Sequence, residues 1–535
     1  MPRRVIAVSG PIASGKTTLC SELATRFGLA VFKTRDLISV ASPRVKKERV
    51  ALQRAGNALD RETKGSWIAH AVARALDREQ PEDDVIIDSV RIESQVEALR
   101  DTFGPRVVHV HLTAPVDVLA ARYRERKASI KELPTYDDAR RDKTERNVDL
   151  LATIADIVVE TDRCSPIDVF VRVAARLGYY GKDLSRLVDV LVGGQFGSEG
   201  KGQVAAYLSR EYDVLVRVGG PNAGHRVFGM PDPYTFHLLP SGTRDSTAHL
   251  VLGPGSVLNL ERLQREITDC RIEADRLSID PQAMVIDQRD IEAEKGLVAK
   301  IGSTGQGVGW ATARKILRGS LRPPVRLACE CTELRPYLRP ALAIYEDAFA
   351  HGRRILLEGT QGTGLSIHHG YYPHVTSRDT TVAGCLSDAG IAPGRVRRVL
   401  MVCRTYPIRV ESPGGGNHSG DMSNEIDWGI VAERSGVDHK ELEVRERTST
   451  THRRRRVSEF DWGLLRRAAS LNGPTDIALT FVDYISISNR KARRFEQLTE
   501  KTLQLIEEVE RVAGAPVSLV ATRFHSRSIV DRRLW

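Results

Sequence analysis

The chain has 535 residues, 41% hydrophobic and 28% charged. That composition excludes a disordered chain, and the length exceeds one ordinary core, so two or three domains are expected. A net charge of +10 fits either nucleic acid or phosphorylated small molecules. The basic residues sit beside glycine motifs, with no aromatic-interleaved basic stripe, so small anionic substrates are preferred over nucleic acid.

No apolar run is long enough to cross a bilayer, and Val5–Ser9 is too short for a signal segment. No membrane association and a cytoplasmic setting are therefore expected. The seven cysteines are scattered. Cys329 and Cys331 have no second pair to complete a zinc site, so reduced thiols are expected.

In chain order, Val5–Ser9 reads as a short buried strand and Lys16–Phe27 as a helix with Leu19, Leu23 and Phe27 on one face. Residues 84–88 (DVIID) and 107–112 (VVHVHL) are apolar runs of the buried parallel-strand type. Helix is expected over 116–126, a last strand over 155–159 and a closing helix over 167–177. This alternation predicts an α/β, doubly wound parallel sheet over residues 1–180. The polar, glycine-containing stretch 178–185 marks the boundary. A fresh strand over 187–192 then opens a second α/β domain, 186–535, with no internal repeat.

Between the first strand and helix lies Gly10-Pro-Ile-Ala-Ser14-Gly15-Lys16-Thr17-Thr18, which fits G-x-x-x-x-G-K-[ST] in the context the motif requires. Glycines let backbone N–H groups converge on phosphate oxygens, and the helix N-terminus adds its dipole. Lys16 supplies a point charge for the terminal phosphates of ATP and Thr17 a hydroxyl ligand for Mg²⁺. The domain lacks the switch motifs of GTPases and resembles the nucleoside-monophosphate kinase group. That resemblance implies an acceptor contact at Asp36 and a Mg²⁺-organising or acceptor-binding acid at Asp88, beside Arg91. Arg122, Arg124 and Arg126 would begin a lid over the transferring phosphate, or equally form a solvated helix face.

The second domain carries Gly193-Gly-Gln-Phe-Gly-Ser-Glu-Gly-Lys-Gly202 directly after its first strand. Then come Gly219-Gly-Pro-Asn-Ala-Gly-His225, Ile301-Gly-Ser-Thr-Gly-Gln-Gly-Val-Gly309 and Leu357-Glu-Gly-Thr-Gln-Gly362, the last continuing to Thr376-Ser377. Ser449-Thr-Thr-His-Arg-Arg-Arg-Arg456 and Leu479-Thr-Phe-Val-Asp483 lie near the end. Each alone is weak. Together and in this order they resemble the adenylosuccinate synthetase family from about Val188 to the C-terminus. Members transfer a γ-phosphate to a purine 6-oxygen and then let the aspartate amine displace it. The first step needs a base and phosphate-neutralising cations, the second an arginine clamp for a dicarboxylate.

The resemblance implies roles residue by residue. Ser198, Lys201 and His225 occupy the catalytic positions, with Lys201 on the transferred phosphate and His225 as general acid or as stabiliser of charge on the 6-oxygen. Gly224 offers a carbonyl to Mg²⁺. Asn222, Thr304, Gln361 and Thr376 bind the purine monophosphate, and Arg318 reaches a neighbouring subunit's nucleotide, implying a homodimer. Thr450, Thr451, Arg453 and Arg455 form the L-aspartate loop. Gly200, Gly202, Asp483 and Thr522 contact the donor nucleotide.

The family's first loop reads G-D-E-G-K-G, and its Asp is both the N1 base and a Mg²⁺ ligand; Ser198 stands there instead. A serine hydroxyl is no competent base near neutral pH without an activating partner. The domain then only binds nucleotides, as a sensor; or Glu199, a water or the substrate phosphate takes the proton; or the smaller Ser admits a different purine. The third reading is preferred, because serine leaves room for a 2-amino group and offers both a donor and an acceptor. A bacteriophage branch of the family, short and with Ser at this position, makes 2-aminoadenylosuccinate deoxynucleotide from dGMP, aspartate and ATP. The chain resembles that branch, which implies a dGMP or GMP acceptor, with IMP as the alternative. The family's Lys two residues before its base-reading Asp is Phe481 here, and its S-T-G stretch aligns with Ala521-Thr522-Arg523. The usual GTP donor is thereby opened to ATP. A fused monophosphate kinase would raise the product of such a synthetase, after a lyase removes fumarate, towards the triphosphate, or alternatively prepare or remove a guanine nucleotide upstream.

Overall fold

A computed structural model describes residues 2–43, 45, 48–79, 83–125, 134–141, 145, 147–180, 185–228, 232–411, 419–448, 453–525 and 528–534. The chain divides into two compact units, Met1–Asp183 and Leu184–Trp535.

The first unit contains β1 (Val5–Ser9), α1 (Lys16–Phe27), β2 (Ala30–Lys33), α2 (Thr34–Ala41), α3 (Arg49–Thr63), α4 (Trp67–Glu79), β3 (Val85–Asp88) and α5 (Glu93–Phe103). It continues through β4 (Val107–Thr113), α6 (Val116–Glu125), α7 (Tyr136–Arg140), β5 (Ile157–Glu160) and α8 (Pro166–Arg176). The sheet order is β2-β3-β1-β4-β5, all parallel. Both of its faces are covered. Val5 and Ala7 of β1 pack with Trp67, Val72 and Leu99, while Ile6 and Val8 pack with Leu23, Phe170 and Val173. A parallel strand buried on both faces must be apolar throughout, which is why VIAVS carries no alternation. The α/β reading of this region holds. The helices α2–α5 are absent from the expected elements; α2, α3 and α4 lie between β2 and β3, and α5 follows β3.

In the second unit the strands are β6 (Val188–Gly193), β7 (Val214–Arg217), β8 (His225–Val227), β9 (Tyr234–Phe236), β10 (His249–Leu252), β11 (Val257–Leu258), β12 (Leu277–Ile279), β13 (Met284–Val285) and β14 (Arg326–Leu327). They continue as β15 (Ile355–Glu358), β16 (Val396–Arg404), β17 (Ile408–Val410), β18 (Glu425–Ile426), β19 (Arg455–Ser458), β20 (Asp476–Thr480), β21 (Val517–Ala521) and β22 (Ile529–Asp531). Nine form one sheet in the order β12-β10-β7-β15-β6-β16-β20-β21-β22, parallel except for β22. Four helices bear on the site: α9 (Lys201–Leu208), α10 (Leu260–Cys270), α11 (Gln288–Ile301) and α12 (Val308–Ile316). Central β6 again feeds two cores, with Val188, Val190 and Val192 on one face and Leu191 on the other. Its C-terminal end runs into the 193–202 loop, the place where open parallel sheets build their sites.

Candidate functional site

In the first unit the chain turns out of β1 through Gly10, whose φ is +142°. A Cβ there would lie 2.3 Å from the Leu112 carbonyl oxygen, so only glycine permits the approach. Gly15, at φ +96°, caps α1 and points its first N–H groups at the loop. Lys16 Nζ donates to the carbonyls of Gly10 and Pro11, both at 2.7 Å. Thr17 Oγ1 donates to Asp88 Oδ2 at 3.3 Å. This hydroxyl and carboxylate form an oxygen-donor pair of the kind that holds Mg²⁺ beside nucleotide phosphates.

A cavity of about 430 Å³ opens from this loop. Gly10, Gly15, Lys16, Thr17, Thr18, Asp88, Arg91 and Arg122 line it. Arg91 pairs with Glu145 at 2.8 Å. Arg122 is turned onto Thr161, donating to its hydroxyl at 2.9 Å and its carbonyl at 2.6 Å. Ser14 lies buried under the loop with an unpartnered hydroxyl. Asp36 is not among the lining residues; its side chain is 67% exposed and Arg35 lines the cavity instead. One residue along a helix is a 100° rotation, which faces Asp36 outward. Arg126 lies outside the described residues.

In the second unit, Ser198 sits half-buried at the loop's turn. Its carbonyl accepts from Arg404 Nη1 at 3.2 Å, and its hydroxyl has no partner among the described residues. Glu199 is fully buried. Its Oε2 pairs with Lys201 Nζ at 2.6 Å, while Oε1 accepts from the backbone N–H groups of Gln195 and Gly197 at 3.1 and 2.7 Å. Glu199, one of the replacement bases expected above, is thus held by contacts within its own loop. Gly200, at φ +87°, caps α9. Gly202 brings α9 against the next strand, since a Cβ there would meet His225 Cβ at 2.8 Å.

His225 opens β8 and is buried. Its Nδ1 lies 2.5 Å from Glu358 Oε1, at the C-terminal end of β15. Glu358 is held by the Ser241 N–H at 2.7 Å, by the Ser241 hydroxyl and by Arg217 at 3.7 Å. Burial pushes Glu358 up, but Arg217 and His225 outweigh it and keep the carboxyl below its usual range. Burial and Arg217 push the imidazole down, against Glu358. A neutral imidazole donating from Nδ1 leaves Nε2 as an open acceptor, and Nε2 is buried without a partner among the described residues. Glu358, Arg217 and Ser241 were not singled out from sequence, although Glu358 stands inside the Leu357–Gly362 motif. Strand-end position after a buried run was the available signal.

Asn222, Gln361 and Thr376 meet. Asn222 Nδ2 and Gln361 Nε2 both donate to Thr376 Oγ1, at 3.4 and 3.0 Å, and Asn222 Oδ1 is buried without a partner among the described residues. Gln361 adopts φ +61° and packs on Gly197, where a Cβ would lie 3.0 Å from Gln361 Cα. Thr304 lies half-buried in the loop before α12. Gly224 precedes β8 directly. Arg318 follows α12 at φ +48° and is exposed.

Thr450 and Thr451 lie outside the described residues. Arg453 is tied through its backbone to Thr448. Arg455 is drawn inward onto Glu446 at 3.1 Å, where Arg404 at 3.1 Å and the Tyr484 hydroxyl at 2.6 Å also converge. Burial raises the Glu446 carboxyl, but Arg404 and Arg455 prevail and hold it down to about 2. Asp483 is fully buried, with Oδ2 bound by Arg445 at 3.3 Å and Arg490 at 3.1 Å and Oδ1 without a partner among the described residues. Thr522 spends its hydroxyl on the Ser528 carbonyl at 3.0 Å. Phe481, at φ +59°, lies under the Arg404 guanidinium, 4.1 Å from the ring centre.

Residues 190–325 and 325–490 match the family model described as adenylosuccinate synthetase, and residues 6–143 one described as an AAA domain. An adenylosuccinate synthetase of Thermococcus onnurineus (strain NA1) is 36% identical over 352 residues, 64% of this chain and 98% of that protein. Among solved structures, cyanophage S-2L succinoaminodeoxyadenylate synthetase, bound to dGMP and to dATP as an energy donor, matches with a TM-score of 0.55 at 28% identity. The match covers 65% of this chain and 96% of that one. Adenylosuccinate synthetase from Plasmodium falciparum shares the fold, with a TM-score of 0.57 at 21% identity over 65% of this chain and all of that one. With the 193–202 loop, the His225–Glu358 pair and the Asn222–Gln361–Thr376 cluster at the sheet's C-terminal edge, the chain belongs to the adenylosuccinate synthetase family of carbon–nitrogen ligases and carries a P-loop, kinase-like unit ahead of the synthetase.

Proposed function

We propose that the second unit joins L-aspartate to C6 of a guanine monophosphate, dGMP or GMP, through a 6-phosphoryl intermediate, and that the first unit phosphorylates a nucleoside monophosphate. The observation that carries the first half is the pairing of Ser198 with a saturated Glu199. No free carboxylate of the loop crowds the position beside N1, so a 2-amino group is admitted and meets a hydroxyl that both donates and accepts. The cyanophage relative, bound to dGMP, supports the same acceptor.

The chain's own groups then divide the work. Lys201 and the α9 N-terminus draw the transferring phosphate to the loop. His225 Nε2, with its ring fixed by Glu358, manages the proton at the 6-oxygen. Asn222, Gln361 and Thr376 orient the purine, and Arg453 with Arg455 receives the dicarboxylate. Mg²⁺, when bound, neutralises phosphate charge. Thr17 and Asp88 would hold it in the first unit, while the Ser198 hydroxyl and Gly224 carbonyl offer two neutral oxygens in the second.

For the donor, Asp483 gives one oxygen to Arg445 and Arg490, which leaves no bidentate carboxylate to read guanine. An adenine nucleotide donor follows, in line with the dATP of the cyanophage relative. A homodimer is supported by the exposed apolar residues Trp310, Ile316, Leu317 and Leu321 in the stretch of sequence that contains Arg318, apolar exposure of the kind a second copy can cover.

The test is incubation with Mg²⁺, aspartate, ATP or GTP, and each of IMP, GMP and dGMP, with mass detection of the succino-nucleotide. Product from dGMP or GMP supports the proposal. Product from IMP alone overturns the acceptor assignment. Nucleotide binding without product overturns catalysis.

A further inference from the structure

The cavity of the first unit has an end that phosphate chemistry does not explain. Gln53, Gly56, Asn57 and Asp60 line it from one face of α3, and Trp67 and Gln95 close it. Ile38 and Leu52 supply apolar wall, suited to the faces of a flat ring. Lys16, Arg35 and Arg91 line the same cavity. The ligand is thus anionic at one end and a planar heterocycle at the other.

The heterocycle end is wired for hydrogen bonding. Asp60 Oδ1 accepts from Trp67 Nε1 at 2.6 Å and from Gln95 Nε2 at 2.9 Å. Gln95 Oε1 accepts from the Arg91 N–H at 2.9 Å, so the amide cannot flip without losing both bonds. Two groups remain: Asp60 Oδ2, which has no partner among the described residues, and the second hydrogen of Gln95 Nε2. They place an acceptor beside a donor, the complement of an amino group beside a ring nitrogen. Gln53 Nε2, two helical turns from Asp60, is a further buried donor without a partner among the described residues.

We propose that the acceptor of the first unit is a 6-aminopurine nucleoside monophosphate, with or without a 2-amino group, and that Asp60 with Gln95 reads its amino edge. This rests on the kinase reading of the unit. The same pair also accommodates a 6-oxopurine in a shifted pose, but phosphorylating that base would drain the acceptor assigned to the second unit. The nitrogen the second unit installs at C6 becomes the 6-amino group once a lyase-type elimination removes the four-carbon acid, so the first unit acts after that elimination. In its step an acceptor phosphate oxygen bonds to the γ-phosphorus of ATP, the bond from that phosphorus to the β,γ-bridging oxygen breaks, and ADP leaves.

The experiment uses the full chain with ATP, Mg²⁺ and a panel of AMP, dAMP, 2-amino-dAMP, GMP, dGMP and IMP, following ADP and nucleoside diphosphate formation. The 6-amino acceptors are expected to show at least tenfold higher kcat/KM than the 6-oxo ones. Asp60→Asn keeps an oxygen for Trp67 and Gln95 but replaces the open acceptor with a donor. It is expected to cut that preference at least tenfold, through KM for the 6-amino acceptors. A 6-oxo preference in the unaltered chain overturns the proposal without needing the variant. Equal losses on every acceptor in a variant with unchanged melting overturn Asp60 as the reader. Phosphorylation of no monophosphate, with ATP binding intact, overturns the kinase reading as well and is told apart by that blank panel.

Discussion

At the scale of single residues, the loop 193–202 is organised around one buried ion pair. Glu199 and Lys201 neutralise each other at 2.6 Å, and Arg404 braces the loop by donating to the Ser198 carbonyl. On the proposed reading, the chemistry beside the purine would rest on Ser198 and His225, with Lys201 at the phosphate. Ser198→Asp places the family's carboxylate where, on the proposed reading, a 2-amino group would be admitted. It is expected to raise the IMP-to-dGMP ratio of kcat/KM at least tenfold, about 1.4 kcal/mol, as read from succino-nucleotide yields. Glu358→Gln keeps the shape of its neighbour but removes the charge that orients the imidazole. A fall in kcat of about 10²–10⁴-fold, with KM for the monophosphate little changed, is the expected outcome in steady-state kinetics. An unchanged kcat would remove the pair from the chemistry.

Among the elements, β1 and β4 carry an unusual burden under the phosphate loop. Ser9 pairs with His111 in register, and its hydroxyl lies 2.7 Å from His109 Nε2 and 2.8 Å from His111 Nδ1. Burial, with Arg100 nearby, pushes His109 down to about 4. Burial, with His109 beside it, does the same to His111. Both rings are neutral when folded but take up protons in the unfolded chain below their ordinary 6.5. Their contribution to stability is therefore complete above that value and lost as pH falls towards 4. Calorimetry from pH 7 to 4 should show the transition that ATP stabilises shifting down through this window, and the shift should shrink in His109→Gln. At neutral pH, Leu23→Ala, in the core beneath α1, should cost that transition about 2–5 kcal/mol.

For the whole molecule, each unit has its own sheet, cores and candidate site. Lys16→Ala should abolish ADP formation with a monophosphate acceptor and leave succino-nucleotide formation intact, while His225→Asn should do the reverse. Arg318 extends this argument beyond one chain. If it serves a second copy's nucleotide, Arg318→Ala and His225→Asn chains, each inactive as synthetases, should regain up to a quarter of the activity when mixed, as one complete site forms in the mixed dimer. No recovery in the mixing assay would assign Arg318 to its own chain.

Read alone, the sequence determined the chemistry-bearing loops and the layers around them. VIAVS followed by a glycine loop and a 3.6-period helix has one physical solution, because a strand buried on both faces must be apolar and a phosphate loop must be glycine-rich. The ordered motifs from Gly193 to Asp483 likewise carried the family, since each keeps a backbone shape that other residues clash with, as at Gly202 against His225. Long-range pairing was not legible. Nothing local to Glu358 says that it meets His225, or that Glu446 gathers Arg404, Arg455 and Tyr484. The α2–α5 segment escaped because its amphipathic pattern is interrupted by polar residues, Gln53, Asn57 and Asp60, that face a cavity rather than solvent. Asp36 and Glu199 show the same limit from the other side: both looked available in sequence, and tertiary packing turned one outward and closed the other on Lys201. Composition and spacing decide which groups a chain owns, while the positions of their partners, brought together across hundreds of residues by the sheet, decide which of those groups remain free to act.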